Sequence, residues 1–152
     1  MTKEYPFGKG TPRISYDGAL NDSDKTIYTV PAGKIAVVHL VDSQLTNTAT
    51  VGSRLHTITI TDGANLIAST GTTSTASQTS RARLIPGTYF NTSATRQLTT
   101  PTANVNAAVT DGLPASGLIL TAGCVVRVYD SAAIDVAADD LVTVIVYVEY
   151  DA

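Results

Sequence analysis

Apolar residues in this chain fall into short runs with a period of two, or into unbroken runs of a few residues, and nowhere into the spacing of a helix. Residues 26–30 give the first predicted strand, and the Pro31-Ala32-Gly33 turn leads into a long second one at 35–45. There Ile35, Val37 and Val41 are expected on one face and Ala36, Val38 and Leu40 on the other, which implies a strand covered on both sides at least in its first half. Residues 55–61 alternate Ile58 and Ile60 against Thr57, Thr59 and Thr61, and Asp62-Gly63 predicts a hairpin into 66–69. Residues 83–85, Arg-Leu-Ile, lead to the Pro86-Gly87 turn. Three further strands are predicted at 117–121, 124–129 and 141–150. In the last, Val142, Val144, Val146 and Val148 share one face and Leu141, Thr143, Ile145, Tyr147 and Glu149 the other, the pattern of a mid-sheet strand.

Between these runs lie stretches of a different kind. Residues 1–24 carry Pro6, Gly8, Gly10, Pro12 and Gly18, and are expected to be an extended N-terminal arm without regular structure, leaving 25–152 as a single domain. Residues 71–80 are nearly pure Thr, Ser, Ala and Gln, a loop or an exposed strand. Residues 91–116 hold Pro101 and Pro114, which exclude central strand pairing at those two points, and so long an irregular passage commonly carries function or an interface.

Eight or so short strands with Gly and Pro turns predict an all-β fold: a two-sheet antiparallel β-sandwich, jelly-roll-like in topology. An immunoglobulin-like sandwich is the alternative, weakened by the absence of a Cys pair and of Trp. Composition agrees. At 152 residues the chain suits one domain, and its charged fraction of 15% lies below the roughly 25% of ordinary soluble chains. Thr, Ser and Val take the place of Lys and Glu, which disfavours long helices. A net charge of -3 offers no footprint for nucleic acid, and no run approaches the ~20 apolar residues of a membrane span. The N-terminus lacks a signal-peptide core, and the single Cys124 reads as a small buried apolar residue, so synthesis in a reducing cytoplasm is expected.

An ordered series of segments carries a resemblance. Tyr28–Lys34 (YTVPAGK) precedes an apolar strand, followed by Thr46–Arg54 (TNTATVGSR) and Ile58–Gly63 (ITITDG). Leu120–Asp130 (LTAGCVVRVYD) and Ala133–Tyr150 close the series. Together they cover roughly half the chain and resemble jelly-roll-like virion proteins of tailed phages, most of all capsid decoration (cement) proteins. The resemblance implies a non-enzymatic protein of the virion's capsid surface, made in the host cytoplasm, that binds the outer surface of the major capsid protein lattice. It also implies a homotrimer, with no cofactor. Tyr5, Pro6 and Phe7 are the candidate capsid-contact residues of the arm, since a few aromatic anchors commonly dominate an interface. A tail or fibre subunit binding host surface glycan is the alternative.

Candidate chemistry is sparse. His39 and His56 could meet across a sheet and, with Asp42, hold a metal as in a cupin, but neither stands in a His-x-His motif. Asp130, Asp135, Asp139 and Asp140 are acidic neighbours without the spacing of a calcium loop. Gly8-Lys9-Gly10-Thr11 lacks the strand, glycine spacing and helix of a phosphate loop, and no Gly-x-Ser-x-Gly elbow presents a nucleophile. Arg81, Arg83 and Arg96 are candidates for ion pairs with a neighbouring subunit. No catalytic residue is expected.

Overall fold

The computed structural model describes residues 10–17, 24–47, 54–70, 74–75, 79–86, 107–130 and 139–152. These residues form eleven strands and no helix: β1 (Thr11–Asp17), β2 (Asp24–Thr29), β3 (Lys34–Asn47), β4 (Arg54–Thr61), β5 (Leu66–Ser69), β6 (Ser74–Thr75), β7 (Thr79–Pro86), β8 (Ala107–Leu113), β9 (Leu118–Thr121), β10 (Val125–Asp130) and β11 (Asp139–Asp151). One sheet runs β1-β11-β3-β7-β8, with β9 also paired to β3; the other runs β2-β10-β4-β5, with β6 on β4. Setting aside β6, β8 and β9, the sheets read β1-β11-β3-β7 and β2-β10-β4-β5, so early and late strands lie side by side. That interleaving is the jelly roll, and the two sheets pack as a sandwich.

Residues 11–17 fall within the stretch expected to lack regular structure, yet they form β1, paired antiparallel to β11 from Thr11↔Glu149 to Asp17↔Thr143. The glycines and prolines around them mask a clean alternation of Pro12, Ile14 and Tyr16 against Arg13, Ser15 and Asp17. Because β1 ends the sheet, Pro12 costs no ladder bond that a central strand would need. Likewise β8 lies in the passage predicted irregular; it pairs parallel to β7 at the other end of the sheet.

The core is aliphatic: Val38, Val41, Leu45, Ile58, Ile60, Leu84, Leu120, Val126, Val128, Leu141 and Ile145 are buried between the sheets. Strict alternation would have placed Val41 with Ile35 and Val37. Instead the pairing of β3 with β11 shifts between Val38↔Tyr147 and Leu40↔Val146, so His39 is an extra residue in the strand. This β-bulge turns Val41, Ser43 and Leu45 inward with Ala36 and Val38, and leaves Leu40 and Asp42 facing out.

Two Ala-Gly turns meet at one rim. Lys34 N–H donates to Pro31 C=O and Cys124 N–H to Thr121 C=O, with Gly33 and Gly123 at φ 72° and 87°. Val30 joins them, donating to Cys124 C=O and accepting from Gly123 N–H, both at 2.9 Å, while Ala152 N–H donates to Gly33 C=O. The two turn motifs of the phage-like series are thus one structural unit. Cys124 is buried beside them.

Candidate interface

The two outward faces of the sandwich differ in kind. On the five-stranded sheet, inward Val126 and Val128 alternate with outward Arg127 and Tyr129, and inward Ile58 and Ile60 with the more exposed Thr59 and Thr61. Arg127 Nε donates to Asp24 Oδ1 at 2.7 Å, and its guanidinium lies 4.9 Å from the Tyr129 ring centroid. The hydrogen bond from Arg127 holds the Asp24 carboxyl below its ordinary range. Along β4 and β10 this is the polar outer face expected of a half-solvated antiparallel sheet, while β5 exposes Leu66 and Ile67.

The six-stranded sheet breaks that rule. Register places Pro12, Ile14 and Tyr16 of β1 beside Val148, Val146 and Val144 of β11, and those beside Val37, Leu40 and Asp42 of β3. Ile119 of β9 pairs with Val37. Side chains opposite one another in register share a face, so Ile14, Tyr16, Val142, Val144, Val146 and Leu40 form one apolar surface pointing away from the core. Ile14 is 74% exposed, Tyr16 67% and Ile119 54%. The valines and Leu40 are half-buried by their neighbours within the sheet.

One end of this face is closed from within. Gly117, at φ 87°, sits so near β3 that a Cβ there would lie 2.6 Å from Val37 Cγ1 and 2.9 Å from His39 Nδ1. Gly10 packs on Val148 and the Tyr150 ring with no space for a Cβ. Along the β7 side the surface becomes charged but internally matched. Arg81 Nε donates to Asp42 Oδ1 at 2.8 Å, and Arg83 Nε approaches the same oxygen at 3.3 Å. Burial pushes the Asp42 carboxyl up, but the Arg81 bond and the two guanidinium charges outweigh it and bring it below its ordinary value. The expected partner of these arginines was another subunit; Arg81 and Arg83 find theirs within the chain in Asp42 of β3, the register partner of Arg83 and the diagonal neighbour of Arg81. Arg96 lies outside the described residues, as do Tyr5, Pro6 and Phe7.

A second polar cluster closes the β1–β2 margin of the sandwich. Tyr28 Oη donates to Glu149 Oε1 at 2.8 Å, Arg13 Nε lies 3.4 Å from Glu149 Oε2, and the Tyr28 and Tyr147 rings stack at 4.2 Å between centroids. Burial and the bond to Glu149 push the Tyr28 phenol up; burial does the same to Tyr147.

The two histidines are not brought together as metal ligands. His56 is buried in the core, its Nε2 3.0 Å from Ser43 Oγ, and Ser43 Oγ accepts from Thr143 Oγ1 at 3.0 Å. His39 stands at the bulge beside Gly117, and Asp42 is taken by arginine. Among the described residues no group of three or more His, Cys, Asp or Glu is placed to hold a metal ion. Asp139 and Asp140 open β11, paired with Asn47 and Thr46. No helix among the described residues is long and apolar enough to cross a membrane.

What the fold and this surface define is a jelly-roll sandwich with an apolar outer face on one of its two sheets. No family model matches the chain, and no curated protein matches it. Among solved structures it is similar to a chain titled "Cyanophage Pam1 capsid asymmetric unit", at 20% identity and a TM-score of 0.41, over 99% of this chain and 91% of that one. A TM-score that low lends the likeness no weight as to function.

Proposed function

We propose that the chain is a non-enzymatic structural protein of a tailed-phage virion, a decoration subunit that binds the outer surface of the major capsid protein lattice and associates with copies of itself, as a homotrimer. The observation that carries this reading is the apolar outer face of β1, β11 and β3, on a sandwich whose opposite face is polar along β4 and β10 and exposes Leu66 and Ile67 at β5. Such a patch marks a surface that works in contact with another protein. The phage-like series of turn and strand segments supplies the setting, and its two Ala-Gly turns pack as one unit. The described side chains are occupied structurally: His56 in the core, Asp42 and Asp24 on arginines, Glu149 on Tyr28 and Arg13. In this reading Tyr5, Pro6 and Phe7 add a contact with the capsid.

Gold labelling of intact virions with an antibody to this chain tests the proposal. Label spread over the head supports decoration. Label confined to the tail or its tip replaces it with a tail or fibre role, and absence of label from particles rejects a virion role.

A further inference from the structure

We infer that the apolar patch of Ile14, Tyr16, Val144, Val146 and Leu40 is the surface through which copies of this chain bind one another. The inference rests on reading that face as a contact surface, and names its occupant as a second copy. Size is the first argument. Ile14 and Tyr16, 74% and 67% exposed, leave roughly 300 Å² of largely apolar surface in the open, and the flanking valines and Leu40 raise this to roughly 500 Å². That is near the upper end of what a lone soluble protein leaves bare, and about two thirds of the ~800 Å² that each partner contributes to a standard interface. A rim of neighbouring polar groups supplies the remainder.

Charge is the second argument. Among the described residues the charge that adjoins the patch on this face is Asp42, in register with Val144, and it is already paired with Arg81 and Arg83. Two identical patches therefore meet without burying an uncompensated charge and without like-charge repulsion at the contact. Shape is the third: an open sheet face with β-branched side chains standing on it is the surface that packs against another such sheet at about 10 Å in a sandwich. An isologous contact of this kind gives two chains; a patch seated on a different surface of the next copy, repeated about an axis, gives three.

The test is the mass of the purified chain by light scattering or sedimentation across about 1–100 µM, read without virions so that it stands apart from the labelling experiment. Ile14→Asp and Tyr16→Asp alter exposed side chains, and circular dichroism confirms that each remains folded. Leu66→Asp, at a 62% exposed position on β5 of the other sheet, is the control. The expected result is a mass of two or three chains for the wild type and for Leu66→Asp. Association is weakened roughly a hundredfold or more in the two patch variants, to single chains across the range. A wild type of one chain at 100 µM overturns the inference, and so does an oligomer that both patch variants preserve or that only Leu66→Asp dissolves. A single-chain wild type that still labels phage heads would remove the self-contact and leave the virion role standing; an oligomer absent from particles would do the reverse.

Discussion

Substituting Ser43 by alanine removes the hydroxyl on which two buried groups depend. Ser43 Oγ accepts from Thr143 Oγ1 at 3.0 Å and lies 3.0 Å from His56 Nε2, and all three residues are at most 1% exposed. Ser43 and Thr143 are register partners on one sheet, while His56 comes from β4 of the other, so the hydroxyl ties the sheets together across an otherwise aliphatic layer. Each buried polar group deprived of a partner costs about 1–3 kcal/mol, so Ser43→Ala should lose about 2–4 kcal/mol. With about 2–4 °C lost per kcal/mol in a domain of this size, Tm should fall by roughly 5–15 °C. Thr143→Val deletes only a donor, keeps the side-chain shape and leaves Ser43 bonded to His56, so about 1 kcal/mol is expected. The double variant should cost about 1 kcal/mol less than the sum, because removing the Thr143 hydroxyl removes one of the groups that Ser43→Ala deprives of a bond. Urea titration followed by circular dichroism, at one fixed protein concentration, measures all three. A Ser43→Ala protein within about 0.5 kcal/mol of wild type, or single costs that add in full, would refute the idea of a shared buried hydroxyl.

Gly117→Ala should lose about 1–3 kcal/mol in the same titration, because φ 87° is strained for alanine and its Cβ would press on Val37 and His39. Asp42 and Asp24 both have carboxyls lowered from 3.8 when folded, so the stability they lend is complete above about pH 4 and is lost as pH falls through the depressed values. Acid unfolding of Asp42→Asn should accordingly show a shallower pH dependence below about pH 4, and an unchanged slope would argue against the arginine pairing. Tyr28, whose folded phenol is raised above 10.0, lends stability present below about pH 10 and lost as pH rises through the raised value. In an absorbance titration at alkaline pH, Tyr28→Phe should remove one late-ionising tyrosine; a lost early-ionising one would contradict the Glu149 bond.

Most of the sandwich was legible because β2 to β5 and β9 to β11 carry their own punctuation: Asp62-Gly63 joins the paired β4 and β5, while Pro31-Ala32-Gly33 and Ala122-Gly123 each carry the chain from one sheet to the other. At Asp62 the reason is visible, its Oδ1 accepting from the N–H of Asn65 at 2.8 Å. What escaped depends on distant partners. β8, rich in Ala, Thr and Gly, is a strand because β7 lies beside it, and local sequence does not encode that pairing. The bulge at His39 has no turn residue to announce it, so the inward set of β3 was assigned one residue out of step beyond that point. The apolar outer face was half legible. The valine row of β11 marked a mid-sheet strand, and β11 is indeed central, but the contribution of Ile14 and Tyr16 lay hidden in the supposed arm. Arg81 and Arg83 invited a partner subunit because their partner, Asp42, lies about forty residues earlier in the chain and joins them only across the sheet.

Valine is a strong strand former, and the row in β11 could be dismissed as propensity alone. The same chain argues otherwise. On β4 the half-buried outward positions are Thr59 and Thr61, residues with the same branching at Cβ as valine and nearly the same shape, but with a hydroxyl for water. Where an outward β-branched residue is needed merely to hold a strand, threonine serves; at Val142, Val144 and Val146 the methyl group is kept instead. The pair Val144→Thr/Val146→Thr separates the two explanations, since it preserves branching and volume while adding two hydroxyls to half-buried outward positions. If the row serves contact between copies, the variant should stay within about 1 kcal/mol of the wild type at a concentration where both are single chains, and its self-association should weaken roughly tenfold or more. A loss of several kcal/mol in the single chain would mean that the valines are covered by the chain itself. An unchanged association would mean that methyl groups on this face serve the strand and nothing beyond it.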